Sequence, residues 1–146
     1  MRNNVNKKKS ARAVVLLISL IVLGISTAFI IQEKPKGKPW NAPEKEMKAK
    51  NPVKSDEAIL KEGKDIYSQH CKSCHGVKGK GDGTKAEKLD ISCGDFTADD
   101  VAKQTDGELY WKTTEGRKPM PSFKEKLSDT ERWTVINYVR SLGKAK

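Results

Sequence analysis

The stretch "HCKSCHGVKGKGDG", residues 70–83, contains two of the three cysteines and both histidines of this 146-residue chain. Cys71 and Cys74 are separated by two residues, and His75 directly follows the second cysteine. Three chemistries use such a cluster: a zinc site, dithiol–disulfide exchange and covalent attachment of a haem. The sequence around the cluster decides which of them fits.

Zinc and dithiol exchange both lack the elements that they require elsewhere in a chain. A structural zinc site needs four nitrogen or sulfur ligands, and the remaining cysteine, Cys93, has no second Cys-x-x-Cys or His-x-x-x-His beside it. A thioredoxin-like dithiol needs a βαβ context, and no alternating strand pattern occurs in this chain. In Cys-x-x-Cys-His, two thiols form thioethers with a haem and the imidazole binds its iron. We therefore predict that Cys71 and Cys74 attach a haem and that His75 is the proximal iron ligand.

A second iron ligand is found by elimination among the methionines. The chain has three, of which Met1 precedes an apolar segment and Met47 lies in a charged segment. Met120 lies between two prolines in "RKPMPSF", where the fixed backbone of Pro119 and Pro121 predicts a stiff, extended loop. Methionine also fills irregular gaps in cores, but this loop favours a thioether presented to iron. We predict Met120 as the distal ligand.

The residues around the cluster have the pattern of helices separated by glycine-rich loops. Ser55 is a candidate N-cap for the helix that leads into Cys71. In the last helix, Ser128 and Glu131 form a capping box, and Gly143 has the position of a C-terminal glycine stop.

Two further helices are predicted between the cluster and the last helix. One should begin at Asp106 and end at Gly116, and a shorter one should be capped by Thr97. The sequence therefore indicates an all-α domain over residues 56–146.

The N-terminal part of the chain has the pattern of an exported protein's membrane anchor. Residues 13–31 contain no charge and would span about 28 Å as a helix, close to the thickness of a bilayer core. Five Lys or Arg in residues 1–12 place the N-terminus in the cytoplasm and the rest outside. A signal peptide cleaved after Ala28 is the alternative. We expect retention, because the apolar run continues past that site.

Residues 32–55 are charged, contain four prolines and predict a tether between anchor and domain. Trp40 is an exception within it, and the sequence leaves open whether this large aromatic side chain rests against the domain or belongs to a plain linker. The net charge of +10 arises mainly before residue 56: residues 56–146 contain 17 Lys or Arg against 16 Asp or Glu. A nearly neutral domain excludes nucleic acid as an expected partner.

In order and spacing, five elements of the domain resemble a class I c-type cytochrome, over residues 56 to about 143. They are "CKSCHG" after a helix with Gly63 and Tyr67, then "GKGDG", "DGELYW", "MPSF" and "SDTERWTVINYVRSL". The resemblance implies a cytochrome with one covalent haem c, and the preceding "PWNAPEKEMKAKNP", a weaker match, resembles the tethers of membrane-anchored bacterial cytochromes of this kind. Its fold would be all-α: a small cytochrome c haem fold with crossing N- and C-terminal helices, preceded by a single N-terminal transmembrane helix. Gly63 and Tyr67 should then meet Trp133 and Tyr138 or its neighbours.

The resemblance also implies one-electron transfer rather than substrate turnover, so we expect an electron-transfer protein and not an enzyme. Electrons would pass between respiratory membrane complexes, from a quinol-oxidising complex as donor to a terminal oxidase as acceptor. The expected location is the bacterial cytoplasmic membrane, with a single pass and the haem domain in the periplasm or outside. Two alternatives stay open: a peroxidase-like haem enzyme or ligand sensor, and a fixed cytochrome subunit of a larger oxidoreductase. Met120 argues against the first, because such chemistry needs an open iron position.

Overall fold

The structure is a computed structural model that describes residues 34–144. The predicted cytoplasmic flank, residues 1–12, and the predicted anchor or signal peptide, residues 13–31, lie outside the described residues. Among residues 34–144, no helix has the length and apolar character needed to cross a membrane.

Residues 34–144 form six α-helices and no β-strand, which confirms the predicted all-α class for this part of the chain. The helices are α1 (Glu44–Met47), α2 (Glu57–His70), α3 (Lys72–His75), α4 (Asp99–Ala102), α5 (Asp106–Glu115) and α6 (Asp129–Lys144). A 3₁₀ turn covers Ala86–Lys88. The long helices α2 and α6 pack against each other and provide the frame for the loops between them.

The contact between α2 and α6 depends on a glycine. A Cβ at Gly63 would lie 2.7 Å from the Thr134 carbonyl oxygen and 2.9 Å from the Tyr138 Cβ, so any side chain there would separate the helices. One turn further along α2, the Tyr67 ring lies 5.2 Å from that of Tyr138. These contacts confirm the crossing at Gly63, Tyr67 and Tyr138, whereas Trp133 stacks on Tyr110 at 4.0 Å.

The N-terminal cap of α6 is the predicted one, whereas the cap of α2 lies one residue after the predicted position. The capping box of α6 is present: the Ser128 N–H donates to Glu131 Oε2 at 2.8 Å, and the Glu131 N–H donates to Ser128 Oγ at 3.3 Å. At α2, Asp56 caps the helix by accepting the Ile59 N–H at 2.9 Å, so the predicted Ser55 cap is wrong by one residue. A carboxylate at this position also interacts favourably with the helix dipole, which a hydroxyl does not.

The middle helix α5 has the predicted bounds, and two other predicted boundaries are wrong. Gly116 follows α5 with φ +66°, a left-handed conformation that favours glycine. Gly143 does not stop the last helix, because α6 continues through it to Lys144. Thr97 does not cap α4: its hydroxyl and its N–H both donate to Asp95.

Residues 34–54, which we call the N-terminal extension, pack against the helical domain. Lys34 Nζ donates to three carbonyls of the 3₁₀ region, those of Ala86, Glu87 and Leu89, at 2.6–2.8 Å. Near its other end, the Asn51 amide donates to the Trp133 carbonyl of α6 at 3.1 Å. From Lys34 onward, the extension belongs to the same compact unit as the helices. The flexible tether predicted over residues 32–55 is therefore not observed in its described part.

The core lies between α2, α5, α6 and the loop that follows α5. Its buried residues are Ile66, Tyr67, Leu109, Phe123, Leu127, Val135, Ile136 and Val139. Three partly buried residues of the predicted site region pack against this cluster: Cys71, Phe96 and Met120. The fold therefore brings segments from three parts of the sequence to one apolar centre.

Candidate haem site

The cysteine–histidine motif forms a single helical turn at the end of α2. The Cys71 N–H closes α2 by donating to the Tyr67 carbonyl at 2.9 Å. The Cys71 carbonyl then accepts the N–H groups of Cys74 and His75, at 3.1 and 3.0 Å. Both thiols of the motif are free and partly buried. The predicted attachment residues and the predicted proximal ligand are thus brought together by local hydrogen bonds.

A glycine-rich loop folds back over this turn and fixes its backbone. The Gly83 N–H donates to the Cys74 carbonyl at 3.1 Å, and the Gly81 N–H donates to the His75 carbonyl at 2.9 Å. A Cβ at Gly83 would lie 2.4 Å from the Ser73 carbonyl oxygen, so the approach requires glycine. Backbone hydrogen bonds to residues close in the sequence therefore fix the backbone of this turn.

The His75 imidazole stacks on the ring of Phe96, with centroids 4.4 Å apart and an angle of 20° between the planes. Its Nδ1 is buried and makes no hydrogen bond to any described residue. Burial lowers the pKa of His75 to about 4, although the backbone of Cys93 acts in the opposite direction. The imidazole is therefore neutral at neutral pH, which is the form that binds a metal.

The Cys71 thiol differs from the nucleophilic cysteine of a reactive dithiol. Burial, followed by the neighbouring Cys74 thiol, raises the pKa of Cys71 to about 12. A nucleophilic cysteine of a dithiol oxidoreductase has a lowered pKa instead. Among residues 34–144, no three His, Cys, Asp or Glu side chains converge so as to hold a metal ion. Neither the dithiol interpretation nor the zinc interpretation is supported by this geometry.

Cys93 is also part of this region, which the sequence did not indicate. Burial and the neighbouring Cys74 thiol raise the pKa of Cys93. Next to it, the Gly94 carbonyl oxygen lies so close to Gly81 that a Cβ there would be 2.7 Å away. The segment around Cys93 therefore packs on the glycine-rich loop, and the thiol is partly buried beside the motif.

Residues 116–122, which we call the methionine loop, place Met120 at the core. The loop begins with a tight turn in which the backbones of Arg117 and Met120 exchange hydrogen bonds of 3.0 and 2.8 Å. The Lys118–Pro119 peptide bond within this turn is cis. The far end of the loop is fixed where the Ser122 hydroxyl donates to the Thr114 carbonyl at 2.6 Å. The two prolines thus flank a thioether that packs on the apolar core, and its role as an iron ligand stays a prediction.

The residues present fit a covalently attached haem. Two free thiols on one turn match the two thioether bonds, and a buried imidazole without a hydrogen-bond partner at Nδ1 stands beside them. Met120, a thioether donor, packs on the same core cluster as Cys71. Sulfur and imidazole are together the ligand pair of electron-transfer cytochromes.

The family model described as "Cytochrome C oxidase, cbb3-type, subunit III" matches residues 58–139. This is more than half of the chain, and it includes the motif, the glycine-rich loop and the methionine loop. The chain belongs to this family. It is a class I monohaem c-type cytochrome, its cofactor is covalently bound haem c, and its domain transfers electrons through that haem.

Solved structures are similar to this cytochrome as well. A chain of the "Kuenenia stuttgartiensis reducing HAO-like protein complex Kustc0457/Kustc0458" is 37% identical, with a TM-score of 0.55, and the match covers 62% of this chain. It covers only 46% of that chain, so this cytochrome matches less than half of that protein's length. A "KustC0563 c-type cytochrome" is 34% identical, with a TM-score of 0.49, over 55% of this chain and 95% of that one. No curated protein sequence matches.

Proposed function

We propose that this protein is a membrane-anchored one-electron carrier whose haem c is attached through Cys71 and Cys74 and bound by His75 and Met120. The observation that carries the proposal is the convergence of the motif turn and the methionine loop on one apolar core. When bound, the haem supplies a one-electron couple. The residues of this chain then determine how firmly it is held and which ligands reach it.

Each ligand is prepared by a different part of the fold. The glycine-rich loop fixes the backbone of the motif turn, and the Phe96 ring holds the imidazole of His75 by stacking. The Tyr67 hydroxyl donates to the Gly76 carbonyl at 2.7 Å, which ties the residue after His75 to α2. Met120 packs on the apolar core, and as a thioether ligand it would raise the reduction potential of a bound haem.

The proposed location rests on the apolar segment of the sequence, and the proposed partners rest on the resemblance to c-type cytochromes. Residues 13–31 would hold the protein in the bacterial cytoplasmic membrane, with the haem domain in the periplasm or outside. A quinol-oxidising complex as donor and a terminal oxidase as acceptor would be the redox partners. A protein that only exchanges electrons needs no substrate pocket. An iron whose coordination positions are all filled suits such a protein better than an iron with an open position.

A second candidate is a fixed cytochrome subunit of a larger oxidoreductase. The observation in its favour is the 37% identity to a chain of a solved structure described as a reducing HAO-like protein complex. In this case the haem would be the same, and the domain would pass electrons within a stable assembly. Purification of the full chain from membranes in mild detergent distinguishes the two: a carrier should elute alone, and a fixed subunit should elute with stoichiometric partners.

Covalent attachment is tested directly by extraction. The haem of the purified protein should remain on the polypeptide after treatment with acid and organic solvent, because thioether bonds survive it. Cys71→Ser and Cys74→Ser should each leave little stable haem-loaded protein, and Cys93→Ser is the matched control that should load normally. Haem that is released completely from the wild-type protein would contradict the proposal.

A further inference from the structure

The N-terminal extension contacts the methionine loop through a single arginine. The Arg117 guanidinium lies over the ring of Trp40, 4.7 Å from its centroid. The Arg117 Nη1 also donates to the carbonyls of Lys38 and Pro39, at 2.8 and 3.3 Å. The extension thus holds this guanidinium by an aromatic face and by two backbone carbonyls.

Trp40 is itself fixed to the helical domain. Its ring meets the ring of Trp111 on α5 edge to face, with centroids 6.1 Å apart. Lys112 Nζ, which pairs with Glu108, lies 5.9 Å from the centroid of the same ring. The indole therefore joins α5 to the beginning of the methionine loop.

Arg117 is the residue whose backbone pairs with Met120. Its N–H donates to the Met120 carbonyl at 3.0 Å, and its carbonyl accepts the Met120 N–H at 2.8 Å. Displacement of Arg117 therefore displaces the backbone on both sides of the Met120 side chain.

The other arm of the loop is attached independently. Ser122 bonds to the Thr114 carbonyl, and the Phe123 N–H donates to the Thr113 carbonyl at 3.2 Å. Phe123 is buried in the core. The arm of the loop at Ser122 and Phe123 is thus fixed by α5 and the core. The arm at the beginning of the loop is held by the N-terminal extension, through the Arg117 side chain.

We propose that Trp40 and Arg117 are positioning residues for Met120, and that they hold the methionine loop closed on the haem iron. This inference rests on the proposed role of Met120 as distal ligand. Contacts made only when the loop is closed favour the closed state by their own free energy. Their removal should raise the population of a state in which the thioether has left the iron.

External ligands of the iron report that population. Cyanide must displace Met120, so its apparent affinity for the ferric protein scales with the open fraction. A guanidinium–indole contact and its hydrogen bonds are together large enough for an increase of about tenfold. Trp40→Ala and Arg117→Ala in the full haem-loaded chain should each give such an increase. The double variant should add little to either, because both remove the same contact.

Two variants separate positioning from general loosening. Trp40→Phe keeps an aromatic face for the guanidinium and should restore most of the wild-type affinity. Asn51→Ala is the matched control. It removes hydrogen bonds between the N-terminal extension and α6, away from the part of the extension that contacts Arg117. It should lower the melting temperature and leave the cyanide affinity within about twofold of the wild type.

Two results would overturn this inference and leave the assignment of Met120 as the distal ligand intact. One is a wild-type cyanide affinity in Trp40→Ala, and the other is an increase in cyanide affinity in Asn51→Ala as large as that in Trp40→Ala. A separate reference variant, Met120→Ala, tests the assignment on which the inference rests. If its cyanide affinity and absorption spectrum equal those of the wild type, the ligand assignment is wrong and the inference falls with it.

Discussion

The motif turn and the methionine loop contain the residues that would hold the haem, and they are stabilised in different ways. The backbone of the turn at Cys71–His75 is held by backbone hydrogen bonds to residues at most twelve positions away, from α2 and from the glycine-rich loop. The methionine loop depends on Thr114 on one arm and on a segment almost eighty residues earlier, Lys38 and Pro39, on the other. A locally stabilised turn can form early and alone, whereas the loop needs the finished fold. Attachment and ligand strength should therefore respond to different substitutions.

The largest effect should follow the loss of His75. His75→Ala removes the imidazole beside the thiols, and the stacking partner of Phe96 with it. We expect the yield of haem-loaded protein to fall by at least about tenfold, because losing even an outer-shell partner can cost a metal site that much. The yield is measured from haem absorbance per unit of purified polypeptide.

His70→Ala is the control, since His70 is exposed and its ring lies edge to face with the Phe123 ring, with centroids 6.0 Å apart. It should load with haem like the wild type. Equal yields in the two variants would mean that the motif histidine has no special role.

Met120→Ala should have a smaller effect of a different kind. The domain should fold and carry its haem, because the motif turn does not depend on this residue. The iron should then bind carbon monoxide and cyanide, and the reduction potential should fall by on the order of 100 mV, a modest share of the ~0.8 V that axial ligands span. Redox titration of the full chain measures the shift. An unchanged potential would exclude Met120 as the distal ligand.

A matched pair of glycine substitutions tests whether the two regions are independent. A Cβ at Gly83 would meet the Ser73 carbonyl at 2.4 Å, in the motif region. A Cβ at Gly116 would meet the Pro121 carbonyl carbon at 2.4 Å, in the methionine loop, and the φ of +66° adds strain.

Gly83→Ala should lower haem loading and leave the cyanide affinity of the loaded fraction unchanged. Gly116→Ala should load normally and bind cyanide more tightly. Each should cost about 1–3 kcal/mol in the free energy of unfolding. If both variants changed both properties equally, the site would behave as one cooperative unit and the contrast between the regions would be lost.

The same contrast explains how much the sequence predicts. Features decided within three or four residues are confirmed: the capping box at Ser128, the bounds of α5 and the turn of the motif. The cap of α2 shifted by one residue because Ser55 and Asp56 are adjacent and both can cap. Residue type and spacing predict the four residues that would hold the haem, Cys71, Cys74, His75 and Met120, and these assignments stay predictions.

What the sequence does not indicate arises from contacts between distant segments. The N-terminal extension has the composition of a linker, yet Lys34 and Asn51 bond to backbone carbonyls of the domain, which leave no trace in a sequence pattern. The position of Cys93 beside Cys74 likewise depends on how the segment around Cys93 packs against the motif turn. Trp40 is the one such residue with a visible signal, a large aromatic side chain in an otherwise charged segment.

The smallest expected effect concerns the charged side chains around the motif turn and around the methionine loop. Residues 72–88 contain five lysines against two acids, and residues 112–126 contain five Lys or Arg against two acids. The intervening residues 89–111 contain six acids against one lysine. In the structure, Lys112 is paired with Glu108 and Arg117 is bound to the extension, so the second positive region relies on exposed lysines such as Lys118. A lopsided charge distribution of this kind steers an encounter with an acidic partner more than it strengthens the complex.

If the two positive regions, residues 72–88 and 112–126, border the exposed haem edge, electron transfer to the redox partner should slow as the salt concentration rises. The screening length falls from about 30 Å at 0.01 M to about 8 Å at 0.15 M ionic strength. Stopped-flow measurement of the second-order rate should show a clear decrease over this range, and Lys80→Glu or Lys118→Glu should flatten the salt dependence. Lys61→Glu makes the same change of charge on an exposed position of α2, outside both loops, and is the control. A rate that does not depend on salt, or an equal effect of all three substitutions, would leave the mixed surface charge with no orienting role.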